Sequence, residues 1–486
     1  MNNRFSLRTF AAVSLVAIFI AGCKTSLSPE ARDIQVESFD AVHQTVLETY
    51  FNPTRLGPKP DGIGWTDTYK SLRPKVEAAS SVNEARGLTE QLIASIGESH
   101  FGLIPEDVGP QSQSEKKSSK ESSETSADNS TETITDKSAD KPASKPTKKS
   151  VQPEQTLGIT LRIIAGEAIV FRVEANSAAD KAGIRPGDHI QRIGKTRTNR
   201  RINEIEKLEL PSAYQLLYLQ SELDVDEGES KTLLISSGES KGRKLTLDAA
   251  PSSVPVSKFG NLPPIAVDIE TRDINGVGYF RLGSFFDPGR VFGVYRNFIV
   301  EHQNAPGLII DLRGNPGGIG AMAMGIANQL VDKPDLKLGT MITRDSRLKF
   351  VLNPQSPRFI GKVAVLVDEG SASTSEIFAA GLQDIGRARV FGQTTPGLAL
   401  PSIVTKLPSG DAFQHATADY IREKGQRLEG LGVIPDETVL LDRNSLAEGR
   451  DPVIEAAIVW IRSSSSEAST TVPATVFPAT TAPIAR

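Results

Sequence analysis

One stretch of this chain concentrates the side chains that a nucleophilic reaction needs: Asp368-Glu369-Gly370-Ser371-Ala372-Ser373-Thr374-Ser375-Glu376. The apolar run Lys362 to Val367 ahead of it reads as a buried strand, and Ser373 to Gln383 reads as a helix. Ser373 then stands on a tight turn at a helix N-terminus, its hydroxyl exposed, with the Thr374 N–H beside it. A serine so placed can attack a carbonyl while neighbouring N–H groups hold the oxyanion of the tetrahedral intermediate. Ser373-x-x-Glu376 is also a capping box, in which the hydroxyl merely accepts the Glu376 N–H. Spacing leaves both roles open.

A second segment bears on the same chemistry. Gly307 to Arg313 reads as another buried strand, leading through Asp311-Leu312-Arg313-Gly314-Asn315-Pro316-Gly317-Gly318 into a helical stretch, Ile319 to Val331. The glycines have neither the dinucleotide spacing nor the lysine of a phosphate-binding loop. They offer unshielded backbone N–H groups at the end of a strand. One of them could stand opposite Thr374 and complete a two-donor oxyanion hole, although the residues also suit a plain tight turn. Two strand–turn–helix units of this kind favour an α/β core.

Together the two segments resemble the C-terminal-processing and tricorn-type serine peptidases. The resemblance implies a multidomain α/β protein: a helical N-terminal domain at 23–108, a PDZ-like β-rich domain at 154–250, and a core similar to the ClpP/crotonase fold at 262–462. It implies Ser373 as nucleophile, with the N–H groups of Thr374 and of Gly317 or Gly318 binding the oxyanion. One position departs from the pattern. The processing branch carries a lysine base 25 residues after its serine, and here that residue is Leu398, in Thr395-Pro396-Gly397-Leu398-Ala399-Leu400. Leucine cannot accept a proton, and the next lysine, Lys406, reads as an outward strand position.

The tricorn branch takes its base from a Ser-His pair in the N-terminal region and adds a late glutamate. Ser99-His100, within Gly97-Glu98-Ser99-His100-Phe101-Gly102, matches the pair, and Glu429, within Leu428-Glu429-Gly430-Leu431-Gly432, matches the glutamate. By that match His100 is the general base, with Glu429 and Ser99 orienting the imidazole and stabilising its protonated form. On a regular strand Ser99 and His100 would point to opposite faces. They share one network only if the chain turns there, which Gly97 and Gly102 permit.

The elements that position these residues are legible in outline. Val36, Phe39, Val42, Val46, Leu47 and Tyr50 recur at helical spacing, as does Ala85 to Ile96. Residues 155–250 read as short strands and turns. Within them Ala179-x-x-Ala182-Gly183-Ile184-x-x-Gly187-Asp188-x-Ile190 resembles a PDZ domain, and Leu157-Gly158-Ile159 falls where such domains bind a peptide carboxylate. That implies partners that add a strand to an exposed sheet edge, polypeptide C-termini among them. Residues 109–153, nearly devoid of large apolar side chains, read as a disordered linker, and 463–486 as a disordered tail.

Composition removes several alternatives. Of 486 residues, 55 are basic and 59 acidic, a near balance that speaks against nucleic acid as a partner. A lone cysteine permits neither an internal disulfide nor a cysteine zinc cluster. The five histidines show no metal-ligand spacing, so no metal or other cofactor is expected. Arg4 and Arg8 precede a short apolar run ending Ala21-Gly22-Cys23, which reads as a signal peptide at 1–22 followed by a lipidated Cys23. The expected setting is the cell envelope, lipid-anchored to a membrane on its periplasmic or extracellular side. The expected activity is serine endopeptidase action on extracytoplasmic proteins. A non-catalytic binding or scaffold protein keeping the fold, and a non-peptide acyl hydrolase, stand as alternatives.

Overall fold

The structure is a computed structural model that describes residues 27–106 and 155–463, apart from 61, 239, 261 and 263. The leader at 1–22, Cys23, the linker at 109–153 and the tail beyond Ser463 lie outside the described residues. The fold is multidomain α/β, with helices and several separate sheets.

A six-stranded sheet organises the C-terminal part. Its spatial order is Ile269–Ile274, Val277–Leu282, Gly307–Asp311, Lys362–Val367, Arg389–Gly392 and Glu437–Thr438. The first pair is antiparallel and the others are parallel. Leu308, Ile310, Val363, Val365 and Val367 pack on one face against the helices Pro288–Glu301, Gly320–Ala327 and Thr374–Asp384. Ile309, Ala364, Leu366 and Phe391 pack on the other against Val453, Ala457 and Ile461 of the helix Pro452–Arg462. Alternate side chains therefore meet apolar partners on both faces, which is why these strands appear in the sequence as unbroken apolar runs.

The glycine-rich segment and the serine segment leave the carboxyl ends of neighbouring parallel strands, Gly307–Asp311 and Lys362–Val367. That topology brings the two loops together, since ligand sites of open α/β sheets form at this edge. The helix after the first loop, Gly320–Ala327, is shorter than the stretch Ile319 to Val331 suggested.

Residues 155–251 form their own layer. Its strands run Ile159–Ile164, Glu167–Val173, His189–Ile193, Ser230–Ser236 and Arg243–Asp248 in spatial order, with Gln155–Thr156 paired to Ala250–Pro251. The reading of short strands and turns missed two helices here, Thr198–Glu206 and Ser212–Ser221. The first buries Thr198, Ile202 and Ile205, a spacing of four and three that marks one helix face. Among the described residues, strand Ile159–Ile164 pairs only on one side and is an edge.

The N-terminal helices Pro29–Thr49, Trp65–Glu77 and Val82–Ala94 do not enclose a core of their own. Phe39, Val42, Val46, Leu92 and Phe101 share one apolar cluster with Leu400, Leu407, Phe413 and Ala416 of the C-terminal part. Strand Gly102–Ile104 completes the joint by pairing antiparallel with Ala412–Ala416. The turn just ahead of that strand, which holds Ser99 and His100, is thereby fixed against the core.

Candidate active site

Ser373 sits at φ 57° and ψ −118°, a backbone conformation that L-residues rarely adopt. A helix cap normally has extended backbone, so this geometry suits an exposed side chain on a sharp strand-to-helix turn better than a cap. The Ser373 hydroxyl makes no side-chain cap hydrogen bond. Glu376 supplies the reciprocal arm of the capping box, its Oε2 accepting the Ser373 N–H at 3.0 Å.

Glu376 is fully buried and acts as a brace. Besides Ser373, it accepts the N–H groups of Gly397 at 2.8 Å and Leu398 at 2.9 Å and the Thr395 hydroxyl at 2.5 Å. Burial pushes its carboxyl up to about 7, against the pull of those donors. Leu398 returns a bond to the turn, its carbonyl accepting the Ser373 N–H at 2.8 Å.

The glycine loop is stitched to the serine turn at several points. Ala372 N–H and the Ser375 hydroxyl both donate to the Asn315 carbonyl, at 3.0 and 2.9 Å. The Ser371 hydroxyl donates to Leu312 O, and the Thr374 hydroxyl to Gly318 O, each at 2.8 Å. Asp368 holds the far end: its Oδ1 accepts Gly314 and Gly370 N–H, and its Oδ2 accepts Arg162 Nε at 2.8 Å. Arg162 belongs to the edge strand of the neighbouring layer and is only 3% exposed.

Both loop glycines are required by space. At Gly317, with φ 100°, a Cβ would stand 2.7 Å from Ser373 Cβ and 2.8 Å from Thr374 N. At Gly318 it would stand 2.3 Å from the Phe285 carbonyl. The two differ as donors. Asn315 is fully buried, and its Oδ1 already takes the Gly317 N–H at 2.8 Å, so of the two glycines the sequence left open, Gly318 is the one whose N–H is not engaged. Among the described residues no protein acceptor takes the Gly318 or the Thr374 N–H.

The second half of the site arrives from the N-terminal turn. Gly97 and His100 have φ of 76° and 59°, so the chain does turn there and the objection from strand geometry falls away. Ser99 Oγ lies 2.7 Å from His100 Nδ1 and 2.9 Å from Glu429 Oε2, while Ser99 N–H donates to Glu429 Oε1 at 3.1 Å. Glu429 Oε2 also accepts the Ala399 N–H at 2.7 Å. Since Leu398 carries the Ser373 N–H, the residues at 398–399 join both halves. Burial lowers the His100 imidazole to about 4, and burial raises Glu429 above the usual carboxylate range.

Neighbouring residues clamp the turn. Glu98 accepts the Tyr50 hydroxyl at 2.6 Å and Arg427 Nη2 at 2.9 Å, and it also pairs with Arg55. Arg427 in turn holds Asp419. Sequence reasoning missed Glu98, Arg427, Asn315, Asp368 and Arg162. Glu98 and Arg427 stand one and two residues from the motif residues Ser99 and Glu429, and that proximity was the available signal. Lys406 is 62% exposed and faces Glu106, so it does not serve the Ser373 turn.

Ala213 and Tyr214, at the start of the helix Ser212–Ser221, pack with Ala372 and Leu398. That helix thus lies against the turn carrying Ser373. Burial pushes the Tyr214 hydroxyl up to about 12, with the Glu429 carboxylate adding to the shift. At Leu157-Gly158-Ile159, Gly158 has φ 79° and packs against Ser177, and its N–H is taken by Thr156 Oγ1 at 2.9 Å. A cavity of about 750 Å³ lined by Arg172, Arg272, Arg313 and Asp451, among others, includes none of the candidate catalytic residues.

Residues 276–439 match the model of peptidase family S41. The matched segment contains Ser373, Gly317, Gly318 and Glu429, whereas Ser99 and His100 come from outside it. Among similar proteins, the carboxyl-terminal-processing protease of Synechocystis is 28% identical over 283 residues, covering 57% of this chain and 60% of that one. The carboxy-terminal processing protease CtpA of Bacillus subtilis is 26% identical over 276 residues, covering 56% and 53%. The chain thus spans less than two thirds of the length of these relatives. The solved structure of mature CPAF complexed with lactacystin aligns over 89% of this chain and 98% of that one at a TM-score of 0.57 and 14% identity, a likeness of fold. Among the described residues no helix is long and apolar enough to cross a membrane, and no group of His, Cys, Asp or Glu could hold a metal ion.

Proposed function

We propose that this chain is a serine endopeptidase that hydrolyses peptide bonds in extracytoplasmic proteins through an acyl-enzyme at Ser373, with His100 as general base. The observation that carries the reading is the Glu429–Ser99–His100 chain of hydrogen bonds, anchored through Ala399 beside the Leu398 carbonyl that holds Ser373. A serine hydroxyl has one proton, and an ionised carboxylate only accepts. With Ser99 Oγ–H donating to Glu429, Ser99 Oγ must accept from His100 Nδ1–H. Nε2 then carries the lone pair that takes the Ser373 proton. The imidazolium so formed is stabilised through Ser99 to the carboxylate.

Ser373 Oγ attacks the peptide carbonyl, and the N–H groups of Thr374 and Gly318 hold the oxyanion. His100 passes its proton to the leaving amine, and water releases the acyl group by the same route. Residues 154–250 serve as a PDZ-like unit that receives unstructured polypeptide ends, and 262–462 as a ClpP/crotonase-like core. Lipidation at Cys23 tethers the enzyme to a membrane of the cell envelope.

Ser373→Ala and His100→Ala should each lower cleavage of a denatured protein substrate by roughly 10⁴-fold or more. Parental cleavage in both variants refutes the assignment. Two observations favour a second reading: Leu398 stands at the lysine position, and a helix of the PDZ-like unit packs on the turn. A scaffold that keeps the fold without turnover would leave Ser373 unlabelled by a fluorophosphonate probe.

A further inference from the structure

The edge strand Ile159–Ile164 has a free side, yet three of its outward backbone groups, Ile159 O and the N–H and C=O of Leu161, are occupied. Gln220, near the end of the helix Ser212–Ser221, donates from Nε2 to Ile159 O at 2.8 Å, and its Oε1 accepts the Leu161 N–H at 3.0 Å. Arg162 Nη1 takes the Leu161 carbonyl at 2.9 Å. An extended peptide pairing with this edge would bond alternate residues of the strand, each through both its N–H and its C=O. The carboxamide of Gln220 reproduces one donor and one acceptor of such a strand. Its nitrogen and oxygen stand where the N–H and C=O of two successive peptide units of an added strand would stand.

We infer that Gln220 is a built-in occupant of the peptide groove, and that an extended polypeptide end enters by displacing its carboxamide from Ile159 O and Leu161 N–H. This rests on the PDZ-like reading and names what regulates that site. The exchange trades two intramolecular hydrogen bonds for two to the ligand, so Gln220 lowers the affinity of every peptide alike while leaving side-chain selectivity to the groove. It also bears on the catalytic turn. Gln220 lies at one end of the helix whose other end, Ala213 and Tyr214, packs on Ala372 and Leu398. Release of the carboxamide removes one of the ties that fix this helix to its own sheet.

The test uses the full chain carrying Ser373→Ala, so that bound peptide is not cut, with and without Gln220→Ala. A fluorescent unstructured peptide with a free, apolar C-terminus is the probe, read by anisotropy. Gln220→Ala should tighten binding about tenfold, and amide exchange at Leu161 should quicken without peptide and slow again with it. Gln220→Glu, which can accept from Leu161 but cannot donate to Ile159, should also bind more tightly than the parent. Peptide affinity unchanged or weakened in both variants, with each melting as the parent does, overturns the proposal. So does Leu161 exchange that is indifferent to residue 220. Fluorophosphonate labelling of chains that retain Ser373 keeps the two readings apart: its loss in the parent would sink the peptidase assignment without touching the Gln220 result.

Discussion

Glu376 offers a sharp test of how the serine turn is held, because its four hydrogen bonds and its charge pull stability in opposite directions. In Glu376→Gln the amide oxygen can keep Ser373 N–H and Leu398 N–H, now on Oε2. The new NH₂ can donate to Thr395 Oγ1, which lies opposite Oε1. The Gly397 N–H, also opposite Oε1, then faces a donor and is left unpaired. One orphaned buried N–H costs about 1–3 kcal/mol. Charge acts the other way. Burial raises Glu376 to about 7 from 4.5, so the folded protein binds this proton more tightly than the unfolded chain does. Its contribution is therefore present at low pH and is lost as pH rises from about 4.5 through 7, by about 3 kcal/mol in all. Glutamine has no such slope. Urea unfolding followed by circular dichroism should find Glu376→Gln less stable than the parent at pH 5 and level with it or ahead at pH 8. Other buried carboxyls contribute equally to both chains and cancel in the difference. Stability curves that run parallel from pH 4.5 to 8 would show that Glu376 is not the buried, proton-binding brace described.

Two further outcomes follow from the geometry. Gly317→Ala would place a methyl group 2.7 Å from Ser373 Cβ and 2.8 Å from Thr374 N at a φ of 100°. The variant should fold by circular dichroism yet lose fluorophosphonate labelling of Ser373 by roughly 100-fold, the scale of removing an oxyanion donor; labelling within threefold of the parent counts against the loop's role. A histidine lowered to about 4 stays neutral as pH falls below its ordinary 6.5, so the acid limb of the labelling rate should lie well under pH 6.5. A limb at or above 6.5, still present after His100→Ala, would mean that another group sets the rate.

What was legible in the sequence was what is local. The strands Gly307–Asp311 and Lys362–Val367 announced themselves because both faces are buried, and Ser373 stood out because a strand, a small-residue turn and a helix follow each other within a few residues. The Ser99–His100 pair and Glu429 came only through resemblance, since no spacing links residues about 330 positions apart. What escaped depends on register between distant segments. Asn315 read as a turn residue, whereas its carboxamide decides which glycine N–H stays free. Arg162 read as one residue of a strand, yet it crosses into the next layer to meet Asp368. The helix Ser212–Ser221 was overlooked within a region judged to be strands, and its burial of Ala213, Leu216 and Leu219 follows the helical period.

Leu398 is the reason the proposed base lies elsewhere in this chain, and its surroundings say what that entails. Its carbonyl and N–H serve Ser373 and Glu376 through the backbone, a task that any side chain permits. Its side chain is free to be apolar and seats Ala213 and Tyr214 beside Ala372. A lysine ammonium there would have to be desolvated against those groups, at a cost its partners in the cluster do nothing to offset. In the proposed mechanism the proton acceptor instead rides on the turn before strand Gly102–Ile104, held by pairing with Ala412–Ala416 and by Glu98 on Arg427. That mechanism depends on docking of the N-terminal helices onto Leu400 and the hairpin Ser402–Ala416, through Phe39, Val42, Leu92 and Phe413. A site assembled this way is sensitive to packing far from the chemistry. Loosening that shared core moves the imidazole while leaving the serine, its brace and its oxyanion donors where they are.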